Sequence, residues 1–317
     1  LDFDQIKTSI KDYLRSNSNF TDYDFEGSNL STIIDVLAYN TYITSYNANM
    51  VSNEVFIDSA TLRENVVSLA RNIGYVPRSK KCSQANISFF VDTSDYASVP
   101  QTITLNKGIV ASSSDFNNES YTFAILDDIT VPVSNDEAVF NDIPIQEGVY
   151  ITSTFTVNSF DPDQRFILEN AGIDISTMRV IVKPSEASTV TRKYSQSESL
   201  FDINSDSPVY FIQEIEGERY ELIFGDGIFG KKLEAPSFIE VSYLVTNGSL
   251  ANGISNLNFS GKLTSSRDNT AVNSGISEIT TLKDASNGES IENIESIKKY
   301  STRIYSSHKR AVTTDDY

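Results

Sequence analysis

The stretch Leu30-Ser31-Thr32-Ile33-Ile34-Asp35-Val36-Leu37-Ala38-Tyr39-Asn40-Thr41-Tyr42-Ile43-Thr44-Ser45-Tyr46 decides how the first part of the chain folds. At about 100° per residue, Leu30, Ile33, Ile34 and Leu37 share one side of a helix, and Tyr39, Tyr42, Ile43 and Tyr46 share a side roughly 180° away. The apolar side therefore switches near Ala38. A helix buried on opposite sides in its two halves needs two different neighbours. Two arrangements supply them. Either the helix breaks near Tyr39 and folds back on its own domain, or it joins a bundle shared with other chains, where each stripe faces a different subunit.

Upstream, Phe3, Ile6, Ile10, Tyr13 and Leu14 recur at spacings of three and four, which predicts a short helix with one apolar stripe. Ile6, Ile10, Tyr13 and Leu14 join the eight residues of the second helix as candidate partner-facing positions. A polar stretch between the two helices ends at Gly27-Ser28-Asn29, a suitable N-terminal cap. Downstream, Thr61 and Glu64 have the spacing of a capping box, opening a third helix that carries Leu62, Val66, Leu69 and Ile73 and stops at Gly74 before Pro77.

From Gln84 the period becomes two. Asn86-Ile87-Ser88-Phe89-Phe90-Val91 and Gln101-Thr102-Ile103-Thr104-Leu105 alternate like half-buried strands, with a turn at Asn106-Lys107-Gly108. Further short β segments run to Phe238–Val245, punctuated by Gly, Pro, Asn and Asp. Ile291, Ile294, Ile297 and Ile304 then return to helical spacing, with acids early and bases late, as the helix dipole favours. The expected fold class is α+β, multi-domain and extended: a helical partner-binding region at 1–80, β-rich modules at 84–160 and 161–255, a linker at 256–285, and the start of a C-terminal helical or α+β module at 286–317. The first β module is expected to end near Asp161-Pro162-Asp163. Thr313 and Asp316 form a second capping box where the sequence stops, and the chain opens on Leu1 rather than Met, so the chain is expected to be part of a longer product.

Composition narrows the function. The 317 residues carry 25 basic and 43 acidic side chains, a net charge of −18, which repels phosphate backbones and argues against nucleic acid as a partner. Hydrophobic residues make up 39%, with 18 Phe and 16 Tyr but no Trp and 2 Met, so some cores are expected to be thin and to lean on partners. No apolar run approaches the ~18 residues of a membrane span. The single Cys82 excludes a disulfide framework and a thiolate metal site. It lies beside Lys80 and Lys81, a setting that lowers a thiol pKa, although a structural thiol is the reading adopted.

Gly225-Asp226-Gly227-Ile228-Phe229-Gly230 has the form of a dinucleotide fingerprint, but that motif needs a helix after it. Pro236 and a further strand follow instead, so the segment reads as a structural turn at Gly225, Asp226 and Gly227, in a hairpin between two strands. His308 has no second His to share a metal, and Asp161, Asp163 and Glu169 lack the spacing of a calcium loop. No catalytic residue, metal ligand or cofactor site is assigned.

Several ordered motifs together resemble one family. They are Asp22-Tyr23-Asp24-Phe25-Glu26-Gly27-Ser28, Leu37-Ala38-Tyr39-Asn40-Thr41, Ala60-Thr61-Leu62-Arg63, and Asn72-Ile73-Gly74-Tyr75-Val76-Pro77. Tyr220-Glu221-Leu222-Ile223-Phe224-Gly225-Asp226-Gly227, Asn247-Gly248 with Ala251-Asn252-Gly253, Asn287-Gly288-Glu289-Ser290-Ile291-Glu292 and Arg310–Tyr317 follow in order. The set resembles the T-even-type myophage baseplate wedge protein, within the wider baseplate J-like group, over nearly the whole chain. The family carries a Gly pair where this chain has Asn287-Gly288, and residues 127–159 match only in character.

The resemblance implies a non-enzymatic structural component of the inner baseplate of a contractile tail, located in the virion and assembled in the host cytoplasm. Its implied partners are a second copy of itself and other wedge proteins in a sixfold ring, with sheath-initiator and hub-proximal proteins beyond them. The implied mechanism is re-packing that triggers sheath contraction, which requires a bistable interface. The alternative is a β-rich receptor- or glycan-binding tail module, which an exposed Tyr-lined groove would favour.

Overall fold

A computed structural model describes residues 2–16, 25, 27, 29–96, 98–161, 163–197, 203–267 and 269–307. The second capping box (Thr313, Asp316), His308, Lys309 and Arg310 lie outside the described residues. The fold class is α+β, in two compact units: Leu1–Tyr75 with Ile294–Tyr317, and Val76–Asn293.

The first unit is helical, with α1 (Phe3–Ser16), α2 (Asn29–Glu54), α3 (Arg63–Asn72) and α4 (Ile294–Ser307). α2 contains neither Gly nor Pro and runs unbroken through Ala38, so the break near Tyr39 does not occur. The capping box at Thr61 and Glu64 is replaced by a longer-range device. The Glu54 carboxylate, at the end of α2, accepts hydrogen bonds from Thr61 N–H at 2.9 Å, the Thr61 hydroxyl at 2.7 Å, Leu62 N–H at 3.3 Å and Asn65 Nδ2 at 2.8 Å. The bonds from Asn65 and Thr61 hold its pKa down to about 2. α3 closes at Gly74, where φ is +79°: Gly74 N–H donates to Arg71 O and Tyr75 N–H to Ala70 O, the double bond pattern that a left-handed residue allows. Val66, Val67 and Ala70 of α3 bury themselves with Ala60, Tyr75 and Ile297 of α4, giving this unit its core. The C-terminal helix thus packs on α3 instead of opening a separate module.

The second unit is β. Its strands, in chain order, are β1 (Gln84–Asp92), β2 (Thr102–Leu105), β3 (Gly108–Ser113), β4 (Thr122–Ile125), β5 (Ile129–Ser134), β6 (Glu137–Glu147), β7 (Val149–Thr156), β8 (Phe166–Leu168), β9 (Ile173–Lys183), β10 (Arg192–Gln196), β11 (Val209–Ile215), β12 (Arg219–Phe224), β13 (Phe238–Val245), β14 (Leu257–Phe259), β15 (Leu263–Ser265), β16 (Ala271–Val272) and β17 (Thr280–Ser286). Among the described residues they form two sheets. The first has the order β14-β3-β4-β6-β5-β2-β15-β16, with β1 pairing β6 and β17; the second has the order β7-β13-β9-β10-β11-β12-β8. Alternation along β1 sends Ala85, Ile87, Phe89 and Val91 into the first core, where Phe89 stacks on Phe140 with ring centroids 4.7 Å apart. Tyr220, Tyr243, Leu168, Ile173 and Val241 fill the second core.

Three expectations are corrected here. The change of sheet falls between β6 and β7 at Gly148, not near Asp161-Pro162-Asp163. Gly148 sits at φ +142°, and a Cβ there would meet Val245 O at 2.8 Å, so the crossing requires glycine. The 256–285 segment is no linker: β14, β15 and β17 pair with β3, β2 and β1. β14, β15 and β16 have three residues or fewer and β17 is mostly exposed, so one buried apolar residue anchors each (Leu257, Leu263, Val272 and Ala285), leaving no run of alternation to read. Finally, β12 and β13 are not neighbours, so Gly225–Gly227 turns the chain within a loop between separated strands, not in a hairpin.

Candidate partner-binding surface and the junction of the two sheets

α1 and α2 pack against each other, with Ile6, Ile34 and Ala38 buried and Lys7 Nζ paired to the Asp35 carboxylate at 2.5 Å. Both charges keep contact with water, so that pair steers register more than it stabilises. The two sequence stripes therefore divide differently from the reading above. Ile6 and Ile34 are interior to the chain; Ile10, Leu14, Leu30, Tyr42 and Ile43 are half-buried; Tyr13, Ile33, Leu37, Tyr39 and Tyr46 are exposed. Each stripe thus has members at least half-buried within the chain and members left exposed.

What remains uncovered on α2 is one broad face. Ile33 (55% exposed), Val36 (63%), Leu37 (50%), Tyr39 (61%), Tyr46, Met50 and Val51 occupy about half the circumference at about 100° per residue. Val36 lies outside both stripes, whereas Met50 and Val51 continue them beyond Tyr46, past the stretch whose pattern was read. The signal was present in another form: from Asn29 to Glu54 the only charged residues are Asp35 and Glu54, so the exposed apolar side chains are interleaved only with uncharged Asn, Ser and Thr. Large apolar side chains gathered on one exposed face make that face a candidate interaction surface.

The β unit holds a buried polar junction that the sequence reading did not find. Glu147, at the end of β6, is almost fully buried and accepts from the Thr246 hydroxyl at 2.5 Å, Asn247 N–H at 3.2 Å and Asn247 Nδ2 at 3.0 Å, all just beyond β13. Burial pushes its pKa up, while the bonds from Thr246 and Asn247 and the charge of Lys80 act against that rise. Buried Asp174, on β9, accepts from Cys82 N–H at 2.8 Å and from Ser176 N–H at 2.9 Å. Ser83 Oγ donates to Gly248 O and Asn252 Oδ1, and Asn252 in turn binds Gly288 through its side chain. The Asn247-Gly248, Ala251-Asn252-Gly253 and Asn287-Gly288-Glu289 motifs therefore meet in one knot that ties the two sheets together.

Cys82 lies inside this knot, fully buried. Burial, and next the Asp174 carboxylate, drive its pKa upward, against the effect expected from Lys80 and Lys81. It is a packed thiol. At the glycine motif, the Asp226 carboxylate accepts from Ile228 N–H and Phe229 N–H, each at 2.8 Å, and Gly227 adopts φ +95°. No helix follows to present amides to a pyrophosphate. Among the described residues, no group of three His, Cys, Asp or Glu is arranged to hold a metal, and no helix is long and apolar enough to cross a membrane.

These features define a class: a subunit whose longest helix leaves a row of large apolar side chains exposed. Comparison with known proteins gives that class a particular character. Residues 2–75 match the family described as "Baseplate wedge protein gp6-like, helical domain". The chain is also 28% identical to baseplate wedge protein gp6 of Enterobacteria phage T4, over 99% of this chain and 48% of that protein. It thus spans about half the length of the curated relative it matches, and the resemblance read from the sequence motifs is borne out. Among solved structures, a chain of the "anti-feeding prophage (AFP) baseplate, 6-fold symmetrised" aligns with 98% of this chain and 61% of its own length, at 11% identity and a TM-score of 0.32. That likeness is too distant to argue from.

Proposed function

We propose that the chain is a structural, non-enzymatic component of the baseplate wedge of a contractile phage tail. It sits in the virion's tail baseplate and is assembled in the host cytoplasm. The observation that carries this reading is the uncovered apolar face of α2, within the segment that matches the wedge helical domain. Its partners are a second copy of the chain and other wedge proteins, which lay their own helices on Ile33, Val36, Leu37 and Tyr39. Sheath-initiator and hub-proximal proteins lie beyond that shell.

The chemistry suits mechanical work. An apolar helix face has no unique hydrogen-bond pattern to satisfy, so it can re-pack between two arrangements at modest cost, as a contraction trigger demands. The β unit, with its two cores tied by buried carboxylates, serves as the stiff element that such re-packing moves. The test is localisation: electron microscopy of particles carrying a tagged chain should find the tag in a sixfold inner ring. A tag at the periphery of the tail would refute the wedge role.

A further inference from the structure

The second sheet carries a surface that the wedge reading does not use. β9, β10 and the loop after the glycine motif enclose a cleft of about 190 Å³. Lys183, Arg192, Lys231 and Lys232 line it, against one acid, Glu234. Glu240 holds Lys183 at 2.7 Å, but among the described residues no ion pair engages Arg192, Lys231 or Lys232. On a chain of net charge −18, this concavity keeps a positive excess: four cations face Glu234 and Glu240, with Asp226 acting on Lys232 from the adjoining loop. The cleft also has an apolar floor, formed by Val182, Tyr194 and Leu233, which pack on the second core.

Beside the cations stands a rigid apolar tip. Besides the two bonds to Asp226, Gly227 N–H donates to Gly230 O at 3.1 Å, Gly230 N–H to Asn204 O at 3.1 Å and Lys231 N–H to Ser207 O at 2.8 Å. The loop backbone is thus fixed, yet it presents Ile228 at 70% and Phe229 at 46% exposure. Apolar side chains held out on a pre-ordered loop lose little conformational freedom on binding, the property of an anchor.

We propose that this cleft and loop dock an acidic segment of a protein partner. Its carboxylates meet Arg192, Lys231 and Lys232, and an apolar side chain packs against Phe229 and Leu233. The field of the rest of the chain opposes a long polyphosphate, which would extend past the short cationic cleft. The apolar tip likewise suits a peptide better than a phosphate chain.

Fluorescence anisotropy tests this on the intact chain, with a fluorescein-labelled peptide Glu-Glu-Leu-Glu-Phe-Glu as the probe. Saturable binding is expected, falling with added salt and weakened about tenfold or more by the Lys231→Glu/Lys232→Glu double variant. Lys107→Glu, at an exposed base outside the cleft, should bind like the wild type, and a peptide with Gln in place of Glu should not bind. Unchanged melting of the double variant separates lost docking from lost folding. Absence of saturable binding, equal affinity in the double variant, or tighter binding of oligothymidylate than of the peptide would each overturn the proposal. None of these outcomes depends on the wedge role.

Discussion

Replacing Glu147 by Leu should loosen the junction between the two sheets. The carboxylate is buried and accepts from Thr246 Oγ1, Asn247 N–H and Asn247 Nδ2. Leu leaves those donors without an acceptor in a place that water reaches poorly, at roughly 1–3 kcal/mol per unsatisfied group. Because the three donors relax partly together, the expected loss is about 3–5 kcal/mol, comparable to breaking a buried charged network by removing one member. Glu147→Gln keeps one acceptor oxygen and the shape, so its loss should be about 1–2 kcal/mol. The pH dependence has a definite sign. A folded-state pKa raised above the ordinary 4.5 means that the stability contributed by protonated Glu147 is fully present below that value and is lost as pH rises through the raised one. The advantage of wild type over Glu147→Gln should therefore shrink as pH rises across that window. Chemical denaturation followed by tyrosine fluorescence reads both effects. A Glu147→Leu protein as stable as wild type would show that the sheets are held together elsewhere.

Two further substitutions test local devices. Glu54 has the opposite pKa shift, so the stability it gives to the start of α3 should be present above 4.5 and lost as pH falls towards about 2; helical circular dichroism of Glu54→Gln should lack the acid-induced loss that wild type shows, and an identical acid profile would reject this capping role. In the glycine loop, a Cβ on Gly225 would collide with the backbone of Gly230, whereas one on Gly227 would find only Lys232 Cβ at 3.7 Å. Gly227→Val should thus cost about 1–3 kcal/mol through its positive φ, and thermal melting should find Gly225→Ala the more damaging of the two; the reverse order would contradict the loop geometry.

Much of the fold was legible because period is a robust signal. The alternation of Ile87, Phe89 and Val91 and the three-four spacing of Ile6 and Ile10 each lie within one element, so they needed no knowledge of neighbours. Pairing was not legible. β14 to β17 bury a single apolar residue apiece or nearly so, and β14, β15 and β17 pair with β3, β2 and β1, more than a hundred residues upstream. Glu147 was invisible for a related reason: one acid among 43 acquires meaning only when Thr246 and Asn247 fold against it. The candidate surface was half legible. The apolar excess of α2 was apparent, but its division between Ile34, covered within the chain, and Leu37, uncovered, depends on where α1 lies.

That division also supplies the most direct test of the wedge role. Leu37 and Tyr39 are half or more exposed, so Asp at either position should change the stability of the isolated chain by only about 0.5–1 kcal/mol. Ile34→Asp, at a buried site, should instead unfold the α1–α2 pair. If other chains cover the open face, the same Asp at 37 or 39 becomes a charge sealed in an apolar seam, costing several kcal/mol. The measurement is co-purification of each variant with a differently tagged copy of the chain and with the other wedge proteins after co-expression. The account predicts that Leu37→Asp and Tyr39→Asp remain soluble and folded yet fail to co-purify, whereas normal co-purification of both would contradict it.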